Sequence, residues 1–443
     1  MLASLETTLR ERMAHHAVPG IALALIADSE IATEAAHGTK EAGGADPVTP
    51  VTRFQACSIS KPVAVLGMLR LVEQGVVDLD ADVNDLLTSW RIPPNASWQP
   101  RVTLRQIASH SAGLTVGGFP GYARGGPLPT LTEILTGSAP ANTAGIRVDT
   151  LPGVEFRYAG GGTMVLQQVL EDTTGRPFEE LMRELVLEPL GMSRSGYTQP
   201  LPDELHGQAA TAHGVDGMPV EGGWHVYPEL AAAGLWTTPG DLARFAIGVQ
   251  SAAAGDPDAL LGPALGAAML TRHAGPAIRL GGLDSVGLGL FLGGPWFGHS
   301  GGNEGFRCHL IAHRDAGCGL AVMTNADRGH ELVAEILDSV AHEMDWPDWE
   351  EASPRTEDDG PPIALDAVIG AYEVRPGVVI EVARDGDELQ LTLSGQPPIR
   401  FLRMSESDFG SFSVETTVAF DDGDLILRQN DGELRCRRVD RYT

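Results

Sequence analysis

The chain has 443 residues, 43% hydrophobic and 20% charged, which is ordinary globular composition with ample material for a core and for two domains. Acidic residues outnumber basic ones 59 to 31, and the resulting formal charge of −28 opposes binding to nucleic acid or to an anionic membrane surface, so neither is expected as a partner. The four cysteines, Cys57, Cys308, Cys318 and Cys436, have neither metal-ligand nor redox spacing and suit free thiols in a reducing compartment. The 13 histidines are scattered without a ligand pattern, so no metal is expected.

The N-terminus lacks a basic segment followed by an apolar core, and no apolar run has the length of a membrane span, which predicts a cytoplasmic protein. Leu5, Leu9 and Met13 recur at the spacing of an amphipathic helix. Gly20–Ala27 and Ile31–Gly38 read as a β-hairpin turning at Asp28-Ser29-Glu30. A helix-rich stretch with Gly/Pro-containing loops runs from about Ser58 to Val249, and Thr238-Pro239-Gly240-Asp241 has the form of a helix start. Strand-like runs follow at Val286–Leu292, Trp296–His299, Phe306–Ala312 and Gly319–Thr324, then a helix from about His330 to Met344. This order predicts an α+β fold, an antiparallel sheet flanked by helices with a helical subdomain. The expected domain is 1–345, followed by an acidic, proline-bearing linker at 346–362 and a small β-barrel at 363–443. Six strands are expected in the last region, at Gly377–Ala383, Glu388–Leu393, Ile399–Met404, Ser411–Phe420, Asp424–Gln429 and Glu433–Val439.

Three clusters carry residues suited to chemistry. In Ser58-Ile59-Ser60-Lys61 a helix would set Ser58 and Lys61 one turn apart on the same face. Lys61 is one of only two lysines in the chain, the other being Lys40. A sequence that otherwise uses arginine keeps lysine where guanidinium cannot substitute, and taking the proton of a serine nucleophile is such a task. Phe156-Arg157-Tyr158-Ala159-Gly160-Gly161-Gly162 sets a phenol beside glycines that permit close approach of a substrate. Phe297-Gly298-His299-Ser300-Gly301-Gly302 sets a histidine beside exposed backbone N–H groups, one of which, at Gly302, can pair with that of Ser58 to hold an oxyanion.

Each cluster recurs by chance; the three in this order do not. Together with TRFQACSISKP (52–62), VTLRQIASHSAGL (102–114), LEPLGM (187–192), AGLWTTPGDLARF (233–245) and MTNAD (323–327), they resemble the serine β-lactamase-like superfamily. That superfamily comprises class C β-lactamases, low-molecular-weight DD-peptidases, D-aminopeptidases and family VIII esterases, and the resemblance runs from about residue 1 to 345. The terminal β region looks like the lipocalin-like domain of some members. The resemblance implies Ser58 as acyl-accepting nucleophile, Lys61 as base, Tyr158 as proton relay to the leaving group, and His299 where β-lactamases carry a lysine. Ser58 and Gly302 become the oxyanion donors, with Gly160 and Gly301 also at the substrate site. It implies no metal and no organic cofactor, and a small-molecule or peptide substrate. One position departs from the pattern: Gly160 replaces the asparagine that in the family contacts the lysine and the acyl-amide. That departure favours a carboxylic ester over a D-amino-acid amide or peptide, with β-lactamase or DD-peptidase activity as the alternative.

Two other readings compete. Gly298–Gly302 also fits the Gly-x-Ser-x-Gly nucleophile elbow, which would make Ser300 the nucleophile but requires a following helix. A non-catalytic binder of the same fold would use Ser58 only to capture a ligand.

Overall fold

In the computed structural model, which describes residues 3–153, 156–273, 283–349, 364–375, 378–386, 388–393, 398–404, 408–411, 417–429 and 432–439, the apolar run GIALALIA is strand β1 (Gly20–Ala27). It pairs antiparallel with β2 (Glu30–Gly38) through a turn in which Asp28 and Ser29 both take positive φ, the geometry that suits a tight hairpin. On its other side it pairs with β9 (Gly319–Thr324), which leads through β8 (Phe306–His313), β7 (Trp296–Asn303) and β6 (Phe291–Gly293) to β5 (Ser285–Val286). The result is a seven-stranded, wholly antiparallel sheet.

β1, β8 and β9 are buried almost throughout because helices cover both faces of the sheet. Ala22, Ala24 and Ile26 join a core with Phe245 and Ala246 of the helix Pro239–Ala254. The alternate residues point the other way, toward the face where the helix Gly329–Glu343 packs on β8 and β9. The helix Pro239–Ala254 starts as its sequence indicates: Thr238 accepts from the Asp241 N–H, and Pro239 fills the first helical position.

Between β2 and β5 lie the helices, and one of them organises the rest. Ser60–Glu73 is buried from Ser60 through Leu69, as a central helix must be, with the charged Arg70 and Glu73 at its outer end. A Cβ at its Gly67 would come within 2.6 Å of the Met182 sulfur, so glycine there sets how closely the helix Phe178–Met182 can cross. A two-residue ladder of β3 (Phe54–Gln55) and β4 (Trp236–Thr237) delivers the chain into this helix.

The described residues from Trp349 onward form a second compact unit, a closed eight-stranded barrel. Its strands are Gly370–Arg375, Val378–Asp385, Glu388–Leu393, Ile399–Arg403, Asp408–Gly410, Thr417–Asp421, Asp424–Gln429 and Gly432–Val439. The barrel interior is filled by Tyr372, Leu389, Phe401, Phe409, Val418 and Leu425. Two of these strands, Gly370–Arg375 and Asp408–Gly410, have no counterpart among the six expected ones. Gly377 and the first half of the expected Ser411–Phe420 strand, residues 412–416, lie outside the described residues, as do the side chain of Leu5 and residues 350–362 of the expected linker. Trp346, assigned to that linker from sequence, is buried against Trp296 with ring centroids 5.0 Å apart. The expected Val286–Leu292 strand is broken into β5 and β6, while β7 continues past His299 to Asn303 because Gly301 and Gly302 keep pairing with Cys308 and Arg307.

The first helix, Ala3–His15, is held to Gly329–Glu343 by ion pairs. Arg12 Nε donates to Glu335 Oε2 at 2.7 Å, and the two ring nitrogens of His16 face Glu331 at 2.9 Å and Glu335 at 3.1 Å. Burial opposes charge on His16, but hydrogen bonds to the two carboxylates outweigh it and raise its pKa above 6.5. Burial likewise opposes charge on Glu335, yet His16 and Arg12 hold it at about 2. A depressed carboxylate stabilises the fold above its ordinary value of 4.5 and loses that contribution as pH falls toward 2. A raised histidine stabilises below 6.5 and loses its contribution as pH climbs through its folded value. Stabilisation by the cluster is therefore greatest between pH 4.5 and 6.5. Denaturation midpoints of wild type and Glu335→Gln should converge as pH falls toward 2, separate most between pH 4.5 and 6.5, and keep a smaller gap at higher pH, where His16 is neutral but Arg12 still pairs with Glu335; curves that run parallel at all pH values would contradict this assignment.

Candidate active site

Ser58 sits in a single 3-10 turn, Cys57–Ile59, immediately before the buried helix. Cys57 has a φ of 54°, a left-handed conformation that a non-glycine residue holds only when its surroundings impose it. Three hydrogen bonds at Ser60 help to impose it. Its Oγ donates to Cys57 O at 2.6 Å and accepts from Leu235 N at 3.1 Å, and its carbonyl accepts from the Tyr197 hydroxyl at 2.8 Å. The Cys57 thiol donates to Gln55 O at 3.2 Å. Ser60 is thus a structural serine within the motif, a role that its sequence position does not reveal.

Lys61 is only 3% exposed, and its Nζ donates to Ser58 Oγ at 2.9 Å and to Ala232 O at 2.8 Å. Ala232 belongs to a one-turn helix, Leu230–Ala233, whose Ala231 N–H is held by Gln167 Oε1 at 3.1 Å. The structure therefore supplies from a backbone carbonyl the second contact that the sequence comparison leaves open at Gly160. A backbone acceptor has no side-chain signature, so sequence could not indicate it.

Tyr158 lies with its ring centroid 5.1 Å from Lys61 Nζ. Its ring is flanked by His110 at 4.4 Å, His299 at 6.1 Å and Phe291 at 6.2 Å, and Phe291 in turn meets His299 at 5.1 Å. His110 holds the segment in place, its Nδ1 accepting the Ala159 N–H at 3.2 Å. Gly160, which opens the helix Gly160–Thr174, donates its own N–H to Gly117 O at 3.0 Å. A Cβ on it would lie 3.0 Å from both Gly117 O and the Phe119 ring, so Gly160 serves close packing, and an asparagine would displace that loop.

His299, on β7, is 2% exposed. Its Nδ1 lies 2.5 Å from Ser300 O, and because a carbonyl only accepts, the ring proton belongs on Nδ1. Nε2 then carries a lone pair, and it is buried without a hydrogen-bond partner. Burial, reinforced by the charge of Lys61, lowers the His299 pKa to about 3, and the same two causes push His110 well below its ordinary value. Both imidazoles are therefore neutral near pH 7.

Gly301 brings β7 against the turn that carries Ser58. A Cβ there would stand 2.5 Å from Ala56 O, 2.5 Å from the Cys308 sulfur and 2.9 Å from Cys57 Cβ. Asn303 closes the strand end, its Nδ2 donating to Gln55 Oε1 at 2.7 Å and to Ala233 O at 3.2 Å. Ser300 lies within β7 opposite His309, and β7 turns directly into β8, so the strand–turn–helix geometry of a nucleophile elbow is absent at Ser300. Among the described residues no group of His, Cys, Asp and Glu is arranged to hold a metal ion, and no helix is long and apolar enough to cross a membrane.

Comparison with known proteins places these features in one family. The profile of the family described as Beta-lactamase matches residues 5–343. Penicillin-binding protein 4 of Amycolatopsis lactamdurans is 27% identical over 388 residues, 83% of this chain and 96% of that protein. The esterase EstB of Burkholderia gladioli is 29% identical over 209 residues, 46% of this chain and only 52% of the esterase. The octameric penicillin-binding protein homologue of Pyrococcus abyssi superposes with a TM-score of 0.65 at 22% identity, covering 98% of this chain and 99% of its own.

The packing at Gly301 yields a test that separates two neighbouring glycines. Gly301→Ala should slow modification of Ser58 by a fluorophosphonate by about 10²-fold, the scale of loss when a reacting group is misplaced by an ångström. Gly302→Ala should stay within a few-fold of wild type, since the added Cβ meets only the Arg307 side chain, at 3.4 Å or beyond. Equal rates for both variants, with melting temperatures unchanged, would contradict the close approach of β7 to the turn.

Proposed function

The chain belongs to the Beta-lactamase family, and from that premise we propose that it is a serine hydrolase that cleaves uncharged carboxylic esters, and secondarily D-amino-acid amides, through an acyl-enzyme on Ser58. The observation that carries this reading is the 2.9 Å contact between Lys61 Nζ and Ser58 Oγ at the start of a buried helix. Ser58 Oγ attacks the carbonyl carbon as its proton passes to Lys61 Nζ. The backbone N–H groups of Ser58 and Gly302 hold the developing oxyanion. The bond to the leaving alcohol then breaks, and the alcohol oxygen takes a proton relayed from Lys61 through the Tyr158 hydroxyl. Water enters and attacks the acyl carbon as its proton passes through the Tyr158 hydroxyl to Lys61; the bond from the acyl carbon to Ser58 Oγ then breaks, and Lys61 returns the proton to Oγ, which releases the acid and restores Ser58.

The substrate preference rests on charge. His299 is neutral, so a substrate carboxylate finds no cation at that position. An ester has no such requirement, and the aromatic group of Phe291, Tyr158 and His110 supplies an apolar wall for its acyl or alcohol part. The unpartnered Nε2 supports the second substrate class, because an amide or amine N–H could donate to it. Gly160 contributes no side-chain amide, which weighs against peptides and β-lactams whose acyl-amide needs a partner.

A panel of p-nitrophenyl esters, D-amino-acid amides, D-alanyl-D-alanine peptides and a penicillin tests the preference. Neutral esters should give the highest kcat/KM and the carboxylate-bearing peptides the lowest, and Lys61→Arg should reduce kcat by about 10² to 10⁴-fold with the fold intact. Turnover highest on the carboxylate-bearing peptides, or near-normal activity of Lys61→Arg, would overturn the reading.

A further inference from the structure

Arg53 presents a problem of charge that the site described above does not solve. It is 9% exposed, its backbone is pinned by Arg53 N donating to Gln208 O and Ala210 N donating to Arg53 O, and its side chain has no hydrogen bond or ion pair among the described residues. The carboxylate that acts on it, Asp241, is already committed. Asp241 Oδ2 accepts from Arg194 N and Ser195 Oγ, each at 2.8 Å, and Oδ1 accepts from Arg244 at 3.2 Å. A buried, unpaired guanidinium is unfavourable, and it calls for an anion from outside the chain.

There is room for one. Arg53 lines a cavity of about 260 Å³ walled by Tyr197, Leu187, Leu201, Leu205 and Trp236, space for about eight waters at their liquid volume. Besides Arg53, the lining carries the hydroxyls of Ser195 and Thr198, the unpartnered indole N–H of Trp236, and the charged Glu179, Glu180 and Arg183, the last paired with Glu188. The two glutamates disfavour a dianion or polyanion, and the aliphatic and aromatic walls favour an apolar body. The cavity also has a route to the nucleophile. Tyr197 is the residue whose hydroxyl holds Ser60 O, and Trp236 pairs in the β3–β4 ladder with Gln55, three residues before Ser58.

We propose that this cavity is a second small-molecule site, which takes a monocarboxylate with an apolar body paired to Arg53, and that its occupancy alters the Ser58 turn through Tyr197 and β3. A carboxylic acid released by ester hydrolysis belongs to the ligand class the cavity suits, so the site gives the enzyme a means of sensing its own product.

Calorimetric titration of the full-length protein with sodium benzoate reads the site whether or not the protein turns over esters. The expected result is one saturable event, weakened more than tenfold in Arg53→Gln and in Leu205→Trp, which fills the cavity and leaves Arg53 in place. Inorganic phosphate should bind at least tenfold more weakly than benzoate. In ester hydrolysis benzoate should change kcat of the wild type with KM unchanged, and leave Leu205→Trp unaffected. Absence of binding, binding equal in both variants, or phosphate binding as tight as benzoate would overturn the monocarboxylate site. Binding that leaves kcat unchanged, or inhibition purely competitive with substrate, would overturn its coupling to Ser58.

Discussion

A serine hydroxyl and a lysine amine three residues apart are unremarkable on an exposed helix, where water would solvate both. Here they meet at the start of a helix that is buried all round, and the turn that presents Ser58 is held in a left-handed conformation at Cys57. The rest of the first unit maintains that turn. Ser60 anchors it from within, Tyr197 and Leu235 from the helical side, and Gly301 of β7 from the sheet side. The site thus lies where the central helix, the β3–β4 ladder and the sheet edge converge, and none of the three could build it alone.

The electrostatics follow from the same burial. Lys61 is the one lysine or arginine of the cluster formed with Ser58, Tyr158, His110 and His299, and burial reinforced by its charge keeps both histidines neutral. Tautomer then decides what each can do. His110 uses its lone pair on the Ala159 N–H, which orients the Tyr158 segment, whereas His299 uses its proton on Ser300 O and leaves the lone pair of its buried Nε2 without a partner. Two imidazoles, both deep in the protein, are thereby held in different hydrogen-bonding states by a single hydrogen bond each.

Much of this was readable from sequence, for identifiable reasons. The apolar runs of β1, β8 and β9 are long and unambiguous, the Thr238-Pro239 start is a local chemical signal, and the scarcity of lysine marks out Lys61. The unread features are those that local pattern does not encode. Ala232 contributes a carbonyl that every residue possesses. His110 is one histidine among 13, set in a phrase that resembles the family but without a ligand or triad spacing of its own. The sequence pattern ends the strand at His299, whereas β7 runs on to Asn303, and at Gly301 it is the absence of a Cβ that allows the strand to approach Cys57. In the barrel, Asp408–Gly410 is too short to show a period, and Arg53 reads as one arginine among many until its carboxylate neighbour is seen to be engaged elsewhere.

The central claim is that Ser58 becomes covalently acylated, and the intact-protein mass after rapid mixing with a slowly deacylating p-nitrophenyl ester, with peptide mapping of the adduct, tests it most directly. The account predicts one acyl group per chain, located on Ser58, present in Ser300→Ala and absent in Ser58→Ala. An adduct on Ser300, or turnover that persists in Ser58→Ala, would contradict it.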